Sequence, residues 1–281
     1  MECCGDCPAP DDRSVTPEQL RDHPHAVIMD LTHALPLLAS PDSGKSLRLL
    51  PDESGLADGE HLYPVVRGAP VLYPGYVGEA FLRGGLKLDY YADCREQYFL
   101  LSQIKQRGEI NAPFASVHYQ RHLFRMRDFV RDCCGTVLDV GCDDASISAS
   151  LFPQGCSYIG LDPFSASASS FRVIGVGECL PFADQSLDNV VFNTSLDHIL
   201  DHHTAIEEAC RVLKPGGFIF LATLIWSRQA TLLTDAVHFH HFREYEILGL
   251  IGHLAITATK KYSYKSDTHR CAYFVAAKKP G

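Results

Sequence analysis

The stretch "VLDVGCDDAS", Val137 to Ser146, decides the fold. Its apolar residues Val137, Leu138 and Val140 run without a break around a single acid, Asp139, as in a parallel strand covered on both faces. The run ends at Gly141, where a chain can turn and point the N–H groups of a following helix at a ligand. A glycine-rich nucleotide loop would carry two more glycines. Here Asp143 and Ala145 stand in those places.

Downstream, strand and helix patterns alternate. Expected strands lie at 136–141, 156–161, 171–176, 188–193, 217–223, 254–261 and 271–277, and helices at 145–151, 203–213 and 242–252. This order predicts an α/β fold with a mostly parallel sheet whose ligand lies beyond the carboxyl ends of the strands. Upstream, residues 1–45 read as a loosely structured segment rich in Pro, Asp and Ser, with one apolar island, "HAVIMDLTHALPLLA". Residues 46–85 form a small β-rich accessory region, with turns expected at Asp58-Gly59, Arg67-Gly68 and Pro74-Gly75. Residues 86–133 are helical, and 134–281 make up the main domain.

Composition excludes several classes. A formal net charge of -9 offers no basic excess for nucleic acid. The longest apolar run, "FIFLATLIW", falls far short of the roughly 20 residues that span a bilayer. The start, "MECCGDCPAP", has no signal-peptide pattern, so a cytoplasmic location is expected. The 11 cysteines read as reduced thiols, and Cys4-x-x-Cys7 lacks the second close pair of a zinc site.

Asp162 ends the second strand in "YIGLDPF", placed to accept hydrogen bonds from both hydroxyls of a ribose; the bland reading is a helix cap before Pro163. Two further stretches follow, "GVGECLPFADQSLDNVVFNTSLDHIL" (175–200) and "ACRVLKPGGFIFLAT" (209–223). Taken in order, the four pieces resemble the class I S-adenosylmethionine-dependent methyltransferases, whose small-molecule branch reads close to "VLDVGCGDG", "GDAExLPFxDxSFDxV" and "RVLKPGG". The resemblance covers about residues 134–278 and implies a Rossmann-like seven-stranded sheet with a reversed last strand. "HLYPVVRGAPVLYP" is similar to a zinc-ribbon-like domain fused ahead of some methyltransferases. Its cysteines are missing, with His61 and Leu62 near the place of one pair, which implies a metal-free remnant.

The resemblance also implies a cofactor site. Asp139 and Gly141 hold the amino-acid end of S-adenosylmethionine (S-adenosylhomocysteine after transfer), with Cys142 lending its backbone. Asp162 takes the ribose hydroxyls, Pro163 follows it and Phe164 borders the adenine. Gly177 or Glu178 reads the adenine edge through a backbone N–H, Asn193 lies under the methionine part, and Tyr119 with His118 forms a lid. Three departures weaken this set: Asp143 brings a charge near the cofactor carboxylate, Ala145 replaces the third glycine as a mild change, and Val176 replaces an acid that accepts from the adenine amino group.

The implied reaction moves a methyl group to an O, N or C atom of a small-molecule acceptor. His198 is the candidate base, as histidine titrates near neutral pH. His238, His240 and His241 form a second concentration in "HFHHFREYE". The sequence offers them no clear partnering carboxylate geometry, and the favoured reading there is a loop entering a helix, with no metal. Two alternatives stand beside methyl transfer. A methyltransferase-like module that binds a partner without catalysis is favoured by Asp143 and Val176. A nicotinamide-dependent dehydrogenase lacks its three-glycine fingerprint here and leaves "RVLKPGG" unexplained.

Overall fold

A computed structural model describes residues 13–22, 25–75, 117–163, 171–227, 238–264 and 267–281. The main sheet contains β6 (Thr136–Val140), β7 (Ser157–Asp162), β8 (Val173–Ile174), β9 (Leu187–Asn193), β10 (Leu213–Trp226), β11 (Ala255–Tyr264) and β12 (Asp267–Lys278). β8, β7, β6, β9 and β10 follow one another in parallel. β12 then runs antiparallel to both β10 and β11. The expected reversed last strand is therefore β12, set between β10 and β11. Chain order leaves β6 in one direction toward β7 and β8 and returns on the other side at β9, so the switch point falls between β6 and β9.

Alternate side chains of β6 feed two cores. Leu138 and Val140 face one, with Ile206 and Ala209 of the helix His202–Val212. Val137 faces the other, with Leu123, Met126 and Val130 of the helix Val117–Phe129 and its end. Burial of each such leucine or valine contributes about 1.5–3 kcal/mol. The "LKPGG" segment enters β10 through an irregular register between Leu213 and Phe218, with Gly216 at φ 79°.

Residues 13–45 depart from the loose segment expected over 1–45. Thr16 caps a short helix, Pro17–Arg21, through a capping box, and Leu20 of that helix is fully buried. The apolar island supplies β1 (Val27–Ile28), which pairs parallel with Ser157 and Tyr158 at the start of β7. β8 pairs with Leu161 and Asp162 at the other end of the same edge, so the sheet gains an eighth strand.

The accessory region is an antiparallel meander of β2 (Arg48–Leu49), β3 (Gly55–Ala57), β4 (Leu62–Val66) and β5 (Ala69–Pro70). Arg67 and Gly68 both have positive φ, 53° and 79°, the backbone that a tight hairpin requires. The meander is seated on the main sheet. Val71 bridges Ile174, and the Leu72 N–H donates to the Ile174 carbonyl at 2.7 Å. Ala39 donates to Pro181 at 3.0 Å, and Ala183 donates back to Leu37 at 2.9 Å. Leu38, Leu56, Tyr63 and Leu72 thereby join the same core as Leu138.

Candidate active site

The carboxyl ends of β6, β7 and β9 converge on one loop. Gly141 sits at φ 81°, and a Cβ there would run into the Cβ of Ser195, which follows β9. The Ser195 hydroxyl donates to the Val140 carbonyl, which locks the two loops together. The N–H groups of Gly141 and Cys142 both donate to the Leu161 carbonyl, at 2.8 and 3.1 Å, and the Cys142 carbonyl accepts from Ser148. The backbone of Cys142 is thus held between loop and helix.

Asp143 occupies the second glycine position at φ 48°. Asp is among the few residues that adopt this left-handed backbone readily, so the glycine-like turn survives the substitution. Its N–H donates to Asp162 Oδ2 at 3.0 Å, and its carbonyl accepts from the Arg172 guanidinium. Asp144 then caps the helix Ala145–Ala149 by accepting from Ser146 at 2.9 Å. Asp162 is buried at the end of β7, beside the loop as expected. Arg172 brings a buried positive charge to this acidic loop, and sequence reasoning missed it inside an apolar strand pattern. Tyr73, another missed residue, reaches from the accessory region to donate to the Pro163 carbonyl. Burial and then the charge of Asp162 push its phenol pKa up. Phe164 lies outside the described residues.

Asp139 is 1% exposed. The Tyr158 hydroxyl donates to its Oδ2 at 2.8 Å, while Oδ1 has no hydrogen-bond partner. Burial raises its pKa from 3.8 to about 7, and the nearby charge of Asp162 adds to the rise. Tyr119 feels the charge of this acidic group. Its phenol pKa is pushed up by burial first, then by Asp143, Asp139 and Asp144. Asn193 Oδ1 accepts from His122 Nε2 at 2.7 Å, and burial holds His122 below its usual pKa. Gly177 is buried where a Cβ would meet Ile199 at 2.8 Å and Val140 at 3.2 Å. Glu178 turns its carboxylate to the N–H of Asp201 at 3.4 Å, and burial raises its pKa. Val176 is buried beside Gly177 and offers only an apolar side chain there.

The histidines divide into three settings. His198 stacks on His238 with centroids 4.8 Å apart. His240 meets His202, whose pKa falls to about 4, first through burial and then through His240 and His203. His241 lies flat on Trp226, centroids 3.9 Å apart. The carboxylate missing from the sequence pattern is Asp197, next to His198. His61 hydrogen-bonds to Asp58 at 3.0 Å.

The sheet order and the switch-point loop define a class I methyltransferase fold. Residues 138–221 match the family of the methyltransferase domain. The human mitochondrial ubiquinone biosynthesis O-methyltransferase is 29% identical over 104 residues, 31% of this chain and 28% of that protein. A ubiquinone/menaquinone biosynthesis C-methyltransferase of Geotalea daltonii is 29% identical over 151 residues, 48% of this chain and 62% of that protein. The chain therefore spans less than two thirds of the length of either relative. Among solved structures, the 1,6-didemethyltoxoflavin-N1-methyltransferase of Burkholderia thailandensis, with bound 1,6-didemethyltoxoflavin and S-adenosylhomocysteine, has a TM-score of 0.55 at 13% identity. That similarity covers 80% of this chain and 97% of that one. The [4+2]-cyclase SpnF has a TM-score of 0.50 at 15% identity, over 59% and 83% of the two chains. The C-terminal half thus has the fold of the class I methyltransferases, and residues 138–221 within it carry the methyltransferase-domain match.

Proposed function

We propose that the chain transfers a methyl group from S-adenosylmethionine to an O, N or C atom of a small molecule. The observation that carries this reading is the loop Gly141–Asp144, shaped as a turn at positive φ and hydrogen-bonded to the Asp162 carboxylate. The residues present fit the cofactor. The buried Asp139 Oδ1 lacks a partner that an ammonium group supplies. Asp162 accepts from the ribose hydroxyls, Gly141 and Asp139 hold the amino-acid end, and Asn193, fixed by His122, sits beside the methionine part. Pro163, tied to Tyr73, and the backbone of Gly177–Glu178 border the adenine.

S-adenosylmethionine, when bound, supplies a methyl group on a positively charged sulfur, a good leaving group. The protein then contributes position and exclusion of water. His198 follows β9 on the acceptor side and takes a proton from a hydroxyl acceptor. Calorimetry with S-adenosylhomocysteine tests the site. Asp162→Ala should weaken binding by about tenfold to a hundredfold, as buried hydroxyls lose their acceptor at about 1–3 kcal/mol. Unchanged affinity overturns the assignment.

A second reading, a partner-binding module without catalysis, is favoured by the apolar Val176 at the adenine edge. It predicts no binding of S-adenosylmethionine at millimolar concentration by a folded chain.

A further inference from the structure

Among the described residues, one group of metal-ligating side chains comes together at the turn after β9. Asp197, His198 and His238 each offer a ligand atom, and these atoms lie within 4.8 Å of one another. Asp197 is 4% exposed, and its Oδ1 has no hydrogen-bond partner. A buried carboxylate oxygen without a donor is costly, and a cation relieves it.

The backbone holds this arrangement. The Asp197 carbonyl accepts from the N–H of Phe239 at 2.8 Å and of His240 at 3.3 Å, which pins the residues after His238 onto the turn that carries His198. Trp226 at the end of β10 donates to the Phe242 carbonyl at 2.8 Å, fixing the far end of the same segment. His240 and His241 are turned elsewhere, toward His202 and Trp226. His238 is left facing His198, with the rings 27° from parallel.

We propose that Asp197, His198 and His238 bind one divalent transition-metal ion. Two imidazoles and one carboxylate suit zinc, cobalt, iron or manganese, whereas calcium and magnesium favour all-oxygen sets. Tetrahedral ligands, each about 2.1 Å from such an ion, stand about 3.4 Å apart. Side-chain rotations that move each ligand atom by about an ångström therefore close the group around an ion. Three protein ligands leave positions for water or for an oxygen of a bound molecule. With the ion bound, His198 is a ligand in place of the base, and the acceptor class that follows carries an acidic oxygen, a phenol or an enol, whose proton the ion makes easier to lose to water. That last step rests on the proposed methyl transfer; the binding of the ion does not.

The test uses the full chain, stripped with a chelator and titrated with Co²⁺ by visible absorption. One Co²⁺ per chain is expected, without the near-ultraviolet band of a thiolate ligand. His238→Ala, His198→Gln and Asp197→Asn should each weaken Co²⁺ binding by about a hundredfold or more, since even the loss of groups behind the ligands costs tenfold to a hundredfold. S-adenosylhomocysteine affinity, measured on the same samples, should stay within threefold for His238→Ala. No Co²⁺ binding by the wild type at millimolar concentration overturns the proposal. So does binding that survives both histidine substitutions, or binding lost only on Cys4→Ser and Cys7→Ser. A wild type that binds Co²⁺ but not S-adenosylhomocysteine would refute the methyltransferase reading and leave the metal site standing.

Discussion

Asp139→Asn isolates the charge beneath the cofactor loop. The folded state holds this carboxyl at about 7 through burial, against an ordinary value of 3.8. Between those values the folded protein keeps a proton that the unfolded chain has released, so stability falls as pH rises. Each pH unit costs about 1.4 kcal/mol, giving a total of about 4 kcal/mol that is fully lost above pH 7. Asparagine stays neutral and can still accept from Tyr158 Oη. Its amide N–H₂ lacks an assured acceptor, which costs about 1 kcal/mol at every pH. Urea unfolding of both proteins without cofactor should therefore show a difference that changes with pH. At pH 5 the variant should be within about 1 kcal/mol of the wild type. At pH 8 it should gain about 3 kcal/mol relative to its position at pH 5. A difference that stays constant from pH 5 to pH 8 would refute the buried, proton-holding carboxyl. Cofactor titration gives an independent measure. An ammonium group at Oδ1 favours the carboxylate, so wild-type binding should tighten up to about pH 7 and release a proton, and Asp139→Asn should abolish that dependence.

Gly141→Ala should lower stability by about 2–4 kcal/mol in thermal melting, since it combines a left-handed backbone with a collision at Ser195; an unchanged melting temperature would contradict the loop geometry. Asp143→Gly should keep or tighten S-adenosylmethionine binding in calorimetry, because it removes a charge and leaves the φ 48° turn intact; loss of binding would mean that the Asp143 side chain holds the ligand. Tyr73→Phe should weaken S-adenosylhomocysteine binding by no more than about tenfold, the worth of one hydrogen bond, with the fold preserved; complete loss would give Tyr73 a direct contact. His122 is held below its usual 6.5, so the folded state gains stability as pH rises through 6.5 and loses it below. His122→Gln should flatten that acid limb in urea unfolding at pH 5 and 7.

Much of the main domain was legible because its strands are apolar runs ended by informative polar residues. Val137–Val140, Tyr158–Leu161 and Val190–Phe192 leave no other period to read, and Gly141, Asp162 and Asn193 mark their carboxyl ends. β1 was missed because two residues, Val27 and Ile28, carry no period of their own and become a strand only against Ser157 and Tyr158. Tyr73, Arg172 and His122 were missed for a related reason. Each acts through a partner 29 to 90 residues away, and no local pattern encodes such a meeting. Asp197 was hidden in plain view beside His198, because its link to Phe239 and His240, which follow His238, runs through a backbone carbonyl that any residue type would provide.

The pairing of Val27–Ile28 with the start of β7 sets an order of assembly. Closing that contact encloses more than a hundred residues, and its entropic cost is met only once β7 already stands against β6. During synthesis the N-terminal residues emerge first, well before their partner strand exists. They wait without a mate until the centre of the sheet has formed, and then cover the edge of β7 ahead of β8 that would otherwise invite another chain. A deletion of the first strand should consequently appear as a yield and aggregation defect on expression, more than as a loss of affinity in whatever protein folds.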